Sequence, residues 1–174
     1  MAGGQGLMAG KRGLILGVAN NRSIAFGIAK ACVDQGAEIA LTYQGEAFKK
    51  RVEPLAAELG AHVSGHCDVT DPASLDAVFA DVAGHFGKID FLVHAIAFSD
   101  KEELDGRYVE TTRANFNRTM EISVFSFTDI AKRAEAIMND GGSLLTLTYY
   151  GAEKVRPHYN VMGVAKAALE ASVR

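Results

Sequence analysis

Cysteine is scarce: Cys32 and Cys67 are the only two in the 174-residue chain, and no CxxC spacing joins them. That argues against a disulfide framework or a thiolate metal site and for two reduced, buried thiols. Long apolar runs are missing as well; no stretch approaches the roughly 18 residues a membrane-crossing helix needs. The opening "MAGGQGLMAGKR" lacks the apolar centre of a secretion signal, so residues 1–10 read as a flexible lead-in and the protein as cytoplasmic. Clustered positive charge is absent too. The net charge is -3, the pI is near 5.9, and the longest basic run is "KKR" at 49–51, a solvated helix face. Nucleic acid is therefore not expected as the main partner, because phosphate binding calls for clustered Lys and Arg. The five histidines, at 62, 66, 85, 94 and 158, share no metal-ligand spacing. His94 reads as a core histidine, and His158 as a residue that can shape a pocket mouth. No repeat, low-complexity segment or linker interrupts the chain.

What is present is the composition of one ordinary globular domain, 48% hydrophobic and 22% charged. Apolar runs alternate with amphipathic helices. Strands are expected at 13–19, 38–43, 61–67, 89–97 and 142–151. Between them, 23–36 carries Ile24, Ile28 and Cys32 at helical spacing, with Gly36 placed to end it. A second helix over 46–59 is closed by Gly60. A third starts from the N-cap Asp71 and Pro72 and buries Leu75, Val78, Phe79 and Val82. A long helical stretch lies within 111–139, and a last helix begins near 158. Strand and helix alternating five times predict an α/β fold: a Rossmann-type, doubly wound parallel sheet with helices on both faces, as one domain. The last helical pattern runs to Arg174 with no Gly, Asn or Pro to end it, so a longer protein is expected.

Doubly wound sheets bind ligands at the carboxyl ends of their strands, and the first strand-to-helix turn receives a pyrophosphate. The usual G-x-G-x-x-G is missing; "GVANNRSIAFG" stands in its place. Gly17 permits the tight turn, Ser23 can cap the helix or donate to a phosphate, and Gly27 is expected to let the helix approach the sheet. The second strand ends at Gln44 with no adjacent Arg, which favours NADH over NADPH. After the third strand, Asp68 reads either as a turn residue or as an acceptor for an adenine amino group, with Val69 packing on the ring. The fourth strand ends in the small and apolar "HAIAFS". Tyr149 closes the fifth strand, and Tyr159 opens the following helix seven residues before Lys166. That spacing is almost two turns, so phenol and ammonium are expected on one face. Alone, the pair reads either as two snorkelling surface residues or as a proton donor beside a tuning charge. Its place at this sheet edge favours the second reading.

The stretches "GVANNRSIAFGIA", "TYQGE", "CDVTD", "FLVHAIAF", "LDGRYVETTR", "GGSLLTLTYYGAEKV" and "YNVMGVAKAALEASVR" resemble the bacterial NADH-dependent enoyl-[acyl-carrier-protein] reductases. These are a divergent branch of the short-chain dehydrogenase/reductases, and the resemblance runs from about Lys11 onward. Tyr-x6-Lys, as in Tyr159 and Lys166, distinguishes them from relatives with Tyr-x3-Lys and an upstream Ser. A 3-oxoacyl or carbonyl reductase would want that Ser, for which Thr146 and Thr148 are the only stand-ins. The remaining alternative is a non-catalytic NADH-binding protein. The resemblance implies that Gly17, Ser23, Ile24, Gln44, Asp68, Val69 and Ile96 line the cofactor and that Lys166 holds its nicotinamide ribose. It implies Tyr159 on the thioester carbonyl, Ser99 near the substrate and Tyr149 in an accessory role. It further implies fatty-acid biosynthesis, an enoyl substrate on acyl carrier protein, a homotetramer, and a C-terminal continuation that closes over the site. Lys166 is expected to lower the pKa of Tyr159. Ala97, Ser99 and Tyr150 depart from the family's usual Gly, Ala and aliphatic residue.

Overall fold

The computed structural model describes residues 6–174; residues 1–5 of the expected lead-in lie outside the described residues. Residues 6–10 form a turn in which Leu7 N–H donates to Gln35 Oε1 at 3.1 Å and Met8 N–H to the Gln35 carbonyl at 3.0 Å. The chain divides into two compact units: the chain through Ala95 with Lys132–Leu145, and Ile96–Ala131 with Thr146–Arg174.

The first unit is built on a sheet ordered β3-β2-β1-β4-β5. Its strands are β1 (Arg12–Leu16), β2 (Glu38–Tyr43), β3 (His62–His66), β4 (Ile89–His94) and β5 (Met138–Thr146). The β1–β2, β2–β3 and β1–β4 pairs are parallel. The order runs outward from β1 in both directions, so β1 and β4 flank the switch point of a doubly wound sheet. The helices α1 (Ile24–Asp34), α2 (Gly45–Leu59) and α3 (Pro72–Phe86) supply the crossovers.

Burial follows strand alternation. Ile15, Ile39, Leu41 and Val93 pack with Phe26 and Val52 of α1 and α2 in one cluster. Leu14, Leu16 and Leu92, pointing the other way, are fully buried too, so the central strands are covered on both faces. Leu75, Val78, Phe79 and Val82 form the buried stripe of α3, as their spacing requires. Truncating one such leucine to alanine costs about 2–5 kcal/mol. Asp71 caps α3 by accepting from Ala73 N–H at 3.0 Å, and Pro72 occupies the first turn. Gly60 closes α2 in the left-handed conformation at φ 64°.

Several expected boundaries shift. β1 stops at Leu16, not 19, because Gly17 leaves extended backbone at φ 99°. β4 ends at His94, one residue before Ala95 N–H makes a last bond to the Leu16 carbonyl. Ile24 is 68% exposed at the start of α1, whose buried positions are Ala25, Phe26 and Ala29, while Ile28 and Cys32 are partly buried against the core. Gly27 is not a packing glycine either, since a Cβ there would meet nothing within 4 Å. The fifth strand spans Met138–Thr146 in place of 142–151. It starts early because the Ile137 carbonyl accepts Ile89 N–H at 2.8 Å, drawing the chain onto the sheet straight after the helix.

In the second unit, the expected long helix is segmented into α4 (Arg113–Met120), a π-helical turn at Glu121–Phe125, and α5 (Ser126–Glu135), whose end lies in the first unit. The last helix, α6 (Asn160–Val173), packs Ala165 and Leu169 against Val124 and Phe127. Short 3-10 turns at Lys101–Glu103, Tyr108–Glu110 and Tyr150–Ala152 connect these helices. Among the described residues, no helix is long and apolar enough to cross a membrane.

Candidate active site

In the first unit the turn after β1 carries the expected features. A Cβ at Gly17 would lie 2.1 Å from the Ala95 carbonyl oxygen, so both its φ and its space require glycine. Ser23 is the N-cap of α1: its Oγ accepts from Phe26 N–H at 3.4 Å and donates to the Asn20 carbonyl at 2.7 Å. Ile24 presents an exposed apolar side chain at the first position of that helix. Gln44, exposed at the end of β2, bonds the Asp68 carboxylate. Asp68 Oδ1 also accepts from Thr70 N–H at 2.9 Å and from its hydroxyl at 2.8 Å. Partial burial would raise the pKa of Asp68. The Thr70 and Gln44 bonds and the nearby His66 outweigh it, so the carboxyl sits below its usual range. Val69 is half-buried beside it. A turn free of side chain, an ionised acceptor and an exposed apolar contact have the chemistry to hold a dinucleotide. Cys32 and Cys67 are free thiols, and the buried Cys67 is pushed up to about 11 by desolvation.

The second unit holds the tyrosines and the lysine. Tyr159 is the N-cap of α6, with φ -129°, so it precedes the helix it was expected to open and helical phase does not set its direction. Tyr149 lies three residues beyond the end of β5. The Tyr149 and Tyr159 rings meet edge to face, 4.8 Å between centroids and 69° between planes. Lys166 is buried, 6% exposed, and its Nζ donates to the Leu147 carbonyl at 2.8 Å. Desolvation lowers the pKa of this amine. Tyr159 is raised, first by burial and then by Tyr149. The expected lowering by Lys166 is thus corrected: the ammonium is engaged by a backbone carbonyl, and burial governs the phenol.

The resemblance pointed to Ser99 and Ile96 but to nothing that anchors them. Ser99 donates to Asn115 Oδ1 at 3.3 Å and accepts from Thr119 Oγ1 at 3.0 Å. One turn on, Ser123 Oγ accepts from Phe98 N–H at 3.0 Å and donates to the Phe98 carbonyl at 3.1 Å. Asn115, Thr119 and Ser123 are fully buried. They form a polar ladder at four-residue spacing that fixes the 98–100 segment, and the π-helical turn brings Ser123 into line. The signal was available in the sequence: three small polar residues on one face of an otherwise amphipathic stretch.

The family model described as "Enoyl-(Acyl carrier protein) reductase" matches residues 17–174. The chain belongs to the enoyl-(acyl carrier protein) reductase family. It is 74% identical over its whole length to enoyl-[acyl-carrier-protein] reductase [NADH] 1 of Rhizobium meliloti, covering 64% of that protein. It is 56% identical over 97% of its length to the enoyl-[acyl-carrier-protein] reductase [NADH] FabI of Rickettsia bellii, again covering 64%. Among solved structures, the enoyl reductase of Anaplasma phagocytophilum in complex with NAD superposes with a TM-score of 0.94. Identity there is 61%, covering 98% of this chain and 65% of that one. The Aquifex aeolicus enzyme gives 0.94 at 45% identity, covering 97% and 68%. The chain therefore spans about 64% of the curated relatives it matches. As in the resemblance, the reductase family match takes in the Tyr-x6-Lys spacing and the substituted glycine motif of the first turn.

A depression of about 480 Å³ beside Tyr159 is lined by Tyr108, Gly151, Lys154, Asn160 and Val164. Tyr159 lies directly over Gly151, where a Cβ would come within 2.4 Å of its ring. Lys154 and Arg156 both stand over the Tyr150 ring, at 5.7 and 5.3 Å. His158 does not line the depression; it is exposed and bonded to Asp105. His94 is fully buried in the first unit.

Proposed function

We propose that the full-length gene product is an NADH-dependent enoyl-[acyl-carrier-protein] reductase of fatty-acid biosynthesis. The observation that carries the reading is Tyr159, packed edge to face on Tyr149 in the same compact unit as the buried Lys166, in a chain of this family. When bound, NADH would supply the hydride that reduces the β-carbon of a trans-2-enoyl thioester, and the α-carbon would take a balancing proton from Tyr159 or water. Tyr159 meets the charge that develops on the thioester carbonyl oxygen by donating its phenolic hydrogen to it. A phenol is protonated at neutral pH, and burial shifts Tyr159 further in that direction. Lys166 has three donors; the Leu147 carbonyl takes one, and the others are offered to the ribose hydroxyls. Gly17, Ser23, Ile24, Gln44, Asp68, Val69 and Ile96 are assigned to the dinucleotide, Ser99 to the substrate, and Tyr149 to support of Tyr159. The reading includes one dinucleotide-binding domain over 1–174, a cytoplasmic homotetramer, and a carrier-protein-bound substrate. The NADH named for relatives and the NAD in the Anaplasma structure support the cofactor assignment.

The test is isotopic. With both C4 hydrogens of NADH replaced by deuterium and a crotonyl thioester as substrate, the full-length protein should give butyryl thioester carrying one deuterium at its β-carbon. Reduction of an acetoacetyl thioester instead, with crotonyl thioester untouched, would reassign the protein to the ketoreductases.

A further inference from the structure

The backbone on either side of Tyr159 is left-handed. His158 has φ 59° and Asn160 has φ 28°, and these are the two positive-φ non-glycine residues among the described residues. Such conformations cost energy and persist only where the surroundings enforce them. Asparagine tolerates them better than most residues, through local hydrogen bonding of its short side chain.

The surroundings that enforce this one are specific. Asn160 Nδ2 faces three backbone carbonyls of one loop, donating to Glu103 at 3.2 Å, Asp105 at 3.1 Å and Gly106 at 3.4 Å. His158 Nδ1 bonds the Asp105 carboxylate from the other side of Tyr159. The loop is itself anchored. Glu103 accepts from Thr112 N–H at 2.9 Å, from Thr112 Oγ1 at 2.8 Å and from Asn115 Nδ2 at 3.2 Å. Asn115 is the buried rung that holds Ser99. A continuous set of hydrogen bonds thus runs from the residue after Tyr159, through the 103–106 loop, to the ladder under Ser99. Tyr159 itself makes no side-chain cap bond at the start of α6, so capping does not orient it.

We propose that Asn160 is a positioning residue for Tyr159: its carboxamide, clamped on the 103–106 carbonyls, holds the left-handed turn that aims the phenol and ties that aim to the Ser99 segment. The proposal rests on the enoyl reductase reading for what the phenol does, and on geometry alone for how it is held. Asn160 touches no reacting atom in this scheme; it acts through Tyr159.

Two substitutions separate aim from strain. Asn160→Gly accepts the positive φ without steric strain, so beyond a small entropic cost it removes the clamp. Asn160→Asp keeps shape and backbone tolerance but turns an oxygen toward three carbonyl oxygens. In the full-length protein, both should lower kcat with crotonyl thioester roughly 10- to 100-fold, as expected for a misplaced catalytic group. KM for NADH should stay within about twofold and melting within about 5 °C of wild type. Tyrosine labelled with 13C at Cζ gives a readout independent of turnover, with the Tyr159 resonance assigned by its loss in Tyr159→Phe. Its titration should fall toward an ordinary tyrosine in both variants as the ring loses its burial. Wild-type kcat and titration in Asn160→Gly would overturn the proposal. So would loss of folding in both variants, which would make Asn160 a stability residue. If the wild type reduces no enoyl thioester, the functional reading fails, and the titration alone decides the role of Asn160.

Discussion

Tyr149 and Tyr159 pack edge to face at 4.8 Å, and the first of them contributes to holding the phenol of the second protonated. Replacing Tyr149 by Phe keeps the ring contact and removes the neighbouring hydroxyl. Tyr149→Phe should therefore lower the titration midpoint of Tyr159, with burial still holding it above an ordinary tyrosine, and leave melting nearly unchanged. Tyr149→Ala should cost about 1 kcal/mol more through the lost aromatic pair. Titration of 13C-labelled tyrosine and urea unfolding read the two effects separately.

Gly151 is the floor beneath Tyr159. A methyl group at 151 would sit 2.4 Å from the Tyr159 ring, so Gly151→Ala must push the ring aside. The expected outcome is a destabilisation of about 1–3 kcal/mol and a fall in kcat of roughly tenfold or more. Steady-state kinetics with crotonyl thioester check it, with the KM for NADH as the internal control.

Ser123 serves both polar groups of the Phe98 backbone. Ser123→Ala leaves an amide and a carbonyl without their partner beside a fully buried position, which should cost about 1–3 kcal/mol. Urea unfolding measures the loss. Amide hydrogen exchange at Phe98 should quicken if the clamp acts as described.

Gly17 cannot carry a side chain. Gly17→Ala meets the Ala95 carbonyl at 2.1 Å and an unfavourable φ of 99°, so the turn after β1 must move. NADH affinity, followed by fluorescence titration, should fall at least tenfold, with a destabilisation of about 2 kcal/mol or more.

The repeat of strand and helix was legible because apolar runs and helical periodicity are local, and so were the caps at Asp71 and Gly60. The fifth strand was misplaced because its start depends on a long-range bond between Ile137 and Ile89 that no local pattern encodes. Helical spacing placed Ile24 on α1, but not its 68% exposure, which follows from its position at the first turn of that helix. The Tyr159 and Lys166 positions stood out by spacing and resemblance. Their electrostatics did not, because the Leu147 carbonyl that engages Lys166 is nineteen residues away in sequence. The Asn115, Thr119 and Ser123 ladder was visible as a periodicity, but its meaning needed the 98–100 segment beside it.

Asp68 sets a pH dependence. Its folded pKa lies below the unfolded value, so the unfolded chain takes up the proton first as pH falls. The stability it contributes is complete above the unfolded value near 3.8 and is lost as pH drops through the lower folded value. Asp68→Asn should remove that component, giving a shallower loss of stability below about pH 4. Unfolding free energies for both proteins between pH 7 and pH 3 make the comparison.

The most direct test of the account is NADH oxidation with crotonyl thioester by the full-length protein, alongside Tyr159→Phe. The account predicts steady consumption of NADH by the wild type and a loss of at least a hundredfold in kcat in the variant, with NADH binding retained. Equal rates in the two proteins would contradict it, because the phenolic hydrogen of Tyr159 would then have no part in meeting the developing charge.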